Sequence, residues 1–598
     1  MILSPNQRAN FAATSRLVAC AINEHIVKAF YQLNYDHSKL INYSMNHGAI
    51  FILPKNDNIS SVDHRIIIVI PMLCEPILSN YNENNNSTLI KVDFINPCDM
   101  TAPIYKINCD LFQLTDVNDL ESFVTNSVNQ GEEICTIELM NILGIWLNLD
   151  NNIVSSVNEE LDNNIKNQEY TFKNPQAIPS LHSSSMEWEQ SLIEGHPFHP
   201  MHKLRYCFPP LPQILPGTYD FRYPTIRFVE VPRDKTYLRG PFEEKLNRLI
   251  NVMSKKPICS PNNVIYPVHE LQLPNISAKF PYVKILPPEY SIKSSSQASL
   301  RSLVVPSIPE LVFKVSIGIK TTSALRTISP WSTHGGTEFT KIIDKLYVDK
   351  NILKIAPEIA SATVNEQDFA IAKHLSCIIR EDYNDQTSGG EKVIICAALI
   401  EKDENGISFV ERVFRLDTEE KRIKFFERYS QLLFAAFLPS ALYNGVSLEA
   451  HLQNVLARFD PHSEQLVGFV FRDFGALRFH QDTLYSSTGI RVNLLKDNVA
   501  EAYDLDEVYT TLYNKLIFCH VYCLIYALNL HHSGVGWKIV RKHLSELIPR
   551  DHLLWNLWLE NKVFKLKSFL RMRIEGLYRT YLYEECPNLI LYKCENGF

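Results

Sequence analysis

The sequence predicts an α+β fold, with an antiparallel sheet in its middle and helices gathered at its C-terminal end. Three observations carry that reading. Beyond Thr418, apolar residues recur at helical spacing over residues 420–438, 505–530 and 537–547. The middle of the chain holds alternating strands, the clearest at 311–322. Residues 392–401 and 407–414 flank Asn405-Gly406, the turn signal of a β-hairpin. At 598 residues the chain exceeds what one hydrophobic core supports, so several domains are expected.

The elements follow in order. The first thirty residues place apolar side chains at helical spacing, and no basic stretch precedes an apolar run. The reading is therefore an amphipathic core helix and not a secretory leader. Ile66 to Ile70, ended by Pro71, and residues 88–94 read as strands. The asparagine-rich stretches 80–87 and 148–167 read as loops or exposed helix faces. Proline is dense from Pro175 to Pro232 and marks a boundary. No apolar run approaches the ~20 residues needed to span a bilayer, so no membrane partner is expected. The net charge of −7 argues against nucleic acid as a partner. The 13 cysteines are scattered without CxxC pairs, the usage of a reducing cytoplasmic compartment.

Three clusters carry chemistry. The first is His196-Pro-Phe-His199-Pro-Met-His202-Lys203, a proline-stiffened segment suited to holding an anion or a metal, or else a surface loop with clustered histidines. The second starts at Ser299, Arg301 and Ser302 and continues through the strand 311–322 to Arg326. Alternation puts Lys314, Lys320 and Thr322 on one polar face. Thr322 is expected to cap a short helix whose first turn brings Arg326 near free amides, an anion site. Lys314 and Thr322 would lie about 26 Å apart on an extended strand, so a bend at Gly318 or a long ligand is required. The third cluster is Glu449, His451, Gln453 and Asn454, followed by Arg472-Asp473-Phe474-Gly475. Carboxylate and amide oxygens from separate segments suit Mg²⁺. On a regular helix Glu449 and Asn454 would point about 140° apart, so joint ligation needs the helix to begin or distort there. The Asp-Phe-Gly triplet is not that of a protein kinase, because the His-Arg-Asp loop and the glycine-rich loop are absent.

Together, in this order, the clusters resemble the NRPS-independent siderophore synthetases, the aerobactin-synthetase-like (IucA/IucC) family. The family's HPxHPxxKxR motif appears as His196 to Arg205. Its Ser-x-Arg-Thr element appears as Ser299, Arg301 and Ser302, with serine replacing threonine. Lys314, Thr322 to Arg326, Glu449 to Asn454, Arg472 to Phe474 and the stretch from Lys567 to Arg573 match further elements, with Phe569 where the family has leucine. The resemblance runs from about residue 190 to the end. It implies a cupped hand with a thumb (1–190), β-rich fingers (191–415) and a helical palm (416–598) around one deep cleft.

The resemblance also implies a reaction. ATP activates a carboxylate of citrate or a related acid as an acyl adenylate, and an amine or hydroxyl small molecule then gives an amide or ester with AMP and pyrophosphate. The cofactors implied are ATP and Mg²⁺, and the family's usual state implies a homodimer. Arg326, Lys314, His196 and His199 become the catalytic candidates. Ser299, Arg301, Ser302, Lys314, Arg326 and Gln453 become the ATP contacts. His196, His199, Lys203, Thr322, Arg326, His451 and Lys567 become the contacts to the acid's carboxylates. Glu449, Asn454 and Asp473 become the metal ligands. The rival classes are a non-catalytic carboxylate or metal binder and an ADP-forming phosphotransferase.

Overall fold

Ser4 opens the first helix, Pro5–Asn23, by a reciprocal bond with Gln7, and Pro5 supplies a preset φ at a position whose amide would have no partner inside the helix. The computed structural model describes residues 3–33, 48–55, 66–79, 89–108, 120, 131–577 and 581–593. The expected N-terminal helix is present, but from Ala12 to Asn23 it is buried on every face. The expected strands appear as Ile66–Pro71 and Leu89–Phe94. They join Val27–Gln32, Ala49–Pro54, Tyr105–Asn108 and two shorter strands in a seven-stranded antiparallel sheet. The stretch 80–87 lies outside the described residues. Residues 148–167 are mostly the helix Asn151–Lys173, and its asparagines are not all exposed. Asn164 is fully buried, and its Oδ1 accepts the Lys203 amide.

The middle of the chain forms two sheets. Leu311–Val315 lies between Ser302–Val304 and Ser376–Glu381 in a six-stranded sheet, with Lys314 directly opposite Ser302. Thr225–Pro232 centres a four-stranded sheet beside it. The expected continuous strand 311–322 breaks at residues 316–318 and resumes as Ile319–Thr321 in a separate small sheet. The break falls at the expected glycine: a Cβ on Gly318 would come within 2.4 Å of Asn275 Nδ2.

Four local expectations need correction. Thr322 caps no helix. It sits at the tip of a hairpin joining Ile319–Thr321 to Ala324–Leu325, at φ 51°, and the next helix, Pro330–Thr340, is capped by Ser329. Residues 449–454 form no helix but a compact turn, in which Asn454 N donates to the His451 carbonyl. The 392–414 hairpin is reduced to its turn. Lys392–Ile395 pairs with Val455–Phe459 instead, and Ser408 caps a short helix, Phe409–Val413. The helix at 505–530 is three pieces: Leu505–Leu512, a π-helical stretch Tyr513–Val521, and Tyr522–Ala527.

Three large apolar clusters organise the described residues. One gathers the first helix, the seven-stranded sheet and the helices 136–173. A second fills the space between the two middle sheets. The largest lies around the 26-residue helix Glu419–Asn444 and the sheet containing Val455–Phe459 and Leu466–Phe471. No helix among the described residues is long and apolar enough to cross a membrane.

Candidate active site

Two adjoining cavities, of about 1020 and 440 Å³, lie where the three clusters meet. Arg326, Glu449, His451, Gln453, Lys567 and Tyr581 line both and form the wall between them. Every residue named above as a candidate lines one or the other. Ser299, Arg301, Ser302, Lys314, Asn454 and Asp473 face the larger, while His196, His199, Lys203 and Thr322 face the smaller, with Ser299 shared. The larger cavity is lined by eight Lys or Arg residues against four Asp or Glu, a cationic pocket in a chain of net charge −7.

Local structure delivers each group. Lys314 is held rigidly in the centre of its sheet, almost fully buried, with Nζ 2.7 Å from Asp473 Oδ2 and 3.8 Å from Glu358 Oε1. Asp473 stands at φ 77° in the loop after Leu466–Phe471, and Gly475 N donates to it at 2.9 Å. Burial would raise the Asp473 carboxyl, but the Lys314 ammonium overrides it and holds the group far below the usual carboxylate range. Ser302, the residue that departs from the family pattern, accepts a hydrogen bond from Ser299 Oγ at 2.7 Å. Arg301 Nη1 donates to the Thr327 carbonyl at 2.6 Å. The hairpin holds Arg326 by backbone bonds to Ile317 and Ile319. Its Nε donates to Thr321 Oγ1 and its Nη2 to Thr322 Oγ1 at 3.4 Å. Arg326 therefore stands on a hairpin, not in the first turn of a helix capped by Thr322.

The histidines are neutral donors and acceptors. His196 Nδ1 accepts the amides of Phe198 and His199, each at 3.2 Å. His199 Nδ1 accepts the Met201 amide at 3.0 Å, so its Nε2 carries the proton and donates to Ser323 Oγ at 2.6 Å. Burial pushes His199 down to about 3 and His451 to about 4, and carries His196 well below its ordinary value. Lys203 lines the smaller cavity and also braces the segment. Its ammonium donates to the Leu192 and Ile193 carbonyls at 3.0 and 2.6 Å, pinning the histidine segment.

Lys515 was not legible in the sequence. The π-helical stretch aims it and Cys519 into the smaller cavity, where Nζ meets Glu449 Oε1 at 2.9 Å. Asn454 Nδ2 donates to the other Glu449 oxygen at 3.3 Å. Lys567, at the end of Val563–Lys567, lies 3.7 Å from the Tyr581 ring centroid. Burial, with the Lys515 ammonium, pushes it down to about 7.

Comparison with known proteins gives this arrangement a class. The IucA / IucC family model matches residues 184–401, and a model described as ferric iron reductase FhuF-like transporter matches 424–581. The chain is 36% identical to the NRPS-independent siderophore synthetase rfs of Rhizopus delemar, covering 98% of this chain and 97% of that protein. It is 24% identical to a D-ornithine–citrate ligase of Staphylococcus aureus over 57% of this chain and 58% of that one. The solved structure of ATP-bound aerobactin synthetase IucA from Klebsiella pneumoniae shares its fold, with a TM-score of 0.67 at 16% identity over 98% of this chain and 99% of that one. The relatives define the class, an ATP-dependent ligase of siderophore biosynthesis. The chain belongs to the NRPS-independent siderophore synthetase (IucA/IucC) family.

Proposed function

We propose that the enzyme adenylates one carboxylate of citrate or a citrate derivative and joins it to an amine or hydroxyl small molecule, releasing pyrophosphate and then AMP. The observation that carries this reading is the position of Arg326 on the wall between the cavities. A nucleotide in the larger space and a polycarboxylic acid in the smaller would meet at its guanidinium. A relative named as a citrate ligase and a structural neighbour solved with ATP support the choice of reactants.

The same reading assigns the roles. Lys314, Arg301, Ser299, Ser302 and Gln453 hold the phosphates. His196, His199, Thr322, His451 and Lys567 hold the acid's remaining carboxylates, the histidines as neutral N–H donors. A carboxylate oxygen attacks the α-phosphorus as the bond to pyrophosphate breaks, and Arg326 offsets the charge on the five-coordinate phosphorus. The deprotonated amine, or a hydroxyl, then attacks the acyl carbon, AMP departs with the electron pair, and the nucleophile loses its proton. Placing the two reactants side by side supplies most of the acceleration asked of the site. Glu449, Asn454 and Asp473 offer three hard oxygen donors from two segments, which fits Mg²⁺. When bound, the ion would supply charge neutralisation for the phosphates. Both carboxylates pair with ammonium groups, Asp473 with Lys314 and Glu449 with Lys515.

The same reading divides the chain into a thumb (1–190), fingers (191–415) and palm (416–598) cupped around the cleft. The three separate apolar clusters support a three-part division. The strands Leu353–Ile355 and Lys392–Ile395 pair into the sheet of the helical part, so the fingers lend it two strands. The test is a panel of carboxylic acids and amines read by pyrophosphate release and product mass. AMP and an amide or ester mass are expected from a tricarboxylic acid, whereas ADP as the nucleotide product would reject adenylation.

A further inference from the structure

Away from the cleft, three potential metal ligands from three segments meet. Cys74 follows the strand Ile66–Pro71, Asp99 ends the turn Pro97–Asp99, and His532 follows the helix Tyr522–Ala527. One ligand atom from each lies within 4.8 Å of the other two, and none of the three residues lines either cavity. His532 Nε2 stands 2.9 Å from Asp99 Oδ1.

The surroundings resemble those of a prepared site. Asp99 is 4% exposed, and its second carboxylate oxygen accepts the Tyr526 hydroxyl at 2.7 Å, the outer hydrogen bond that orients ligating carboxylates. Two of the three backbones are tied directly together, because Leu73 N donates to the Asp99 carbonyl at 2.7 Å and Thr101 N to the Pro71 carbonyl at 3.0 Å. The Asn96 side chain caps the turn through Cys98 N at 2.9 Å. Cys74 is not packed away as a core hydrophobe but half-buried, and the His532 side chain is 39% exposed. That leaves solvent access for the ion and for a fourth ligand.

We propose that Cys74, Asp99 and His532 form a binding site for a zinc-class divalent cation, completed by water. Thiolate and imidazole select a borderline-soft ion and disfavour Mg²⁺ and Ca²⁺. Bonds of about 2.0–2.3 Å put tetrahedral ligand atoms about 3.3–3.8 Å apart, so the Asp99–His532 pair, now at 2.9 Å, opens slightly and the contacts to Cys74, within 4.8 Å, close by at most about 1.5 Å. Binding releases the thiol proton and the proton on the imidazole nitrogen that becomes a ligand. The cation exchanges the Asp99–His532 contact for three bonds and joins the N-terminal sheet to the C-terminal helices. It stands independent of the reaction assigned to the cleft.

The full-length protein, stripped with a chelator, tests this by titration with Co²⁺ alone. One equivalent should give thiolate-to-cobalt charge-transfer absorption that Zn²⁺ abolishes, and Zn²⁺ should raise the thermal unfolding midpoint. Cys74→Ser should lose both the absorption and the shift, and His532→Gln should weaken Co²⁺ binding at least about tenfold. Pyrophosphate exchange without added zinc should match in wild type and Cys74→Ser. Absence of the absorption in the wild-type protein overturns the proposal without recourse to any variant. Its persistence in Cys74→Ser would assign it to another thiol and overturn the proposal equally.

Discussion

At the residue scale, Lys567 carries a pH prediction for the cleft. Burial and Lys515 hold its ammonium down to about 7, so near neutrality a large share is uncharged while no anion is present. A carboxylate bound beside it favours the charged form, so acid binding should draw a proton from solution between about pH 7 and the ordinary lysine value near 10. Calorimetry of acid binding in buffers of differing ionisation enthalpy should show net proton uptake at pH 8 that Lys567→Met abolishes; equal heats in all buffers would contradict the assignment. Asp473 yields a second prediction. Asp473→Asn removes a carboxylate but leaves Lys314 its second partner, Glu358, so the fold should survive. Half-saturation by Mg²⁺ in pyrophosphate exchange should rise at least about tenfold, and an unchanged titration would remove Asp473 from the metal set.

At the scale of elements, the hairpin 319–325 shows where backbone strain and function coincide. A β-branched residue at positive φ is a genuine outlier, and Thr322 at φ 51° holds Arg326 through its hydroxyl. Such a conformation costs on the order of 1–3 kcal/mol. Asparagine tolerates it, so Thr322→Asn should raise the unfolding midpoint while lowering exchange activity; a lower midpoint with full activity would deny that the strain serves the site. This hairpin also marks the limit of what the sequence discloses. Residue types and their order were enough to single out Lys314, Arg326, Glu449 and Asp473, which line one cavity, because anion and cation chemistry selects few side chains. The elements that hold them were misread where tertiary contacts override local preference. Thr322 has the chemistry of a cap, yet pairing of Lys320 with Leu325 folds the segment into a hairpin. Residues 449–454 have a helical pattern, yet Arg472 N bonds the Asn454 carbonyl and draws the segment into a turn, which places Glu449 and Asn454 side by side. Lys515 had no signal at all: it sits in an apolar helical run, and only the π-helical widening turns it toward the cavity.

Across the whole molecule, segments remote in sequence are locked around single acidic side chains. Glu160, in the helix Asn151–Lys173, accepts Lys320 Nζ from the hairpin sheet at 2.6 Å and Arg573 from the C-terminal segment at 2.9 Å. Glu24 at the end of the first helix accepts the amides of Phe569, Leu570 and Arg571, close in sequence to Lys567. Removing one partner from a buried ionic cluster leaves uncompensated charge and costs about 3–5 kcal/mol. Glu160→Ala should therefore lower the unfolding midpoint markedly and reduce activity with it, although no Glu160 atom lines either cavity; an unshifted midpoint would show that the clamp is dispensable. The cleft is thus tied to segments from the N-terminal, middle and C-terminal regions of the chain. In the proposed function, one wall of positive charge serves both a nucleotide and a polycarboxylic acid. Acid-dependent exchange of labelled pyrophosphate into ATP measures that property most directly. Wild type should exchange only when a carboxylic acid is present, and Arg326→Ala, with an unchanged unfolding midpoint, should lose exchange by at least about a hundredfold. Full exchange in Arg326→Ala, or ATP cleavage to ADP with no exchange in the wild type, would contradict the account.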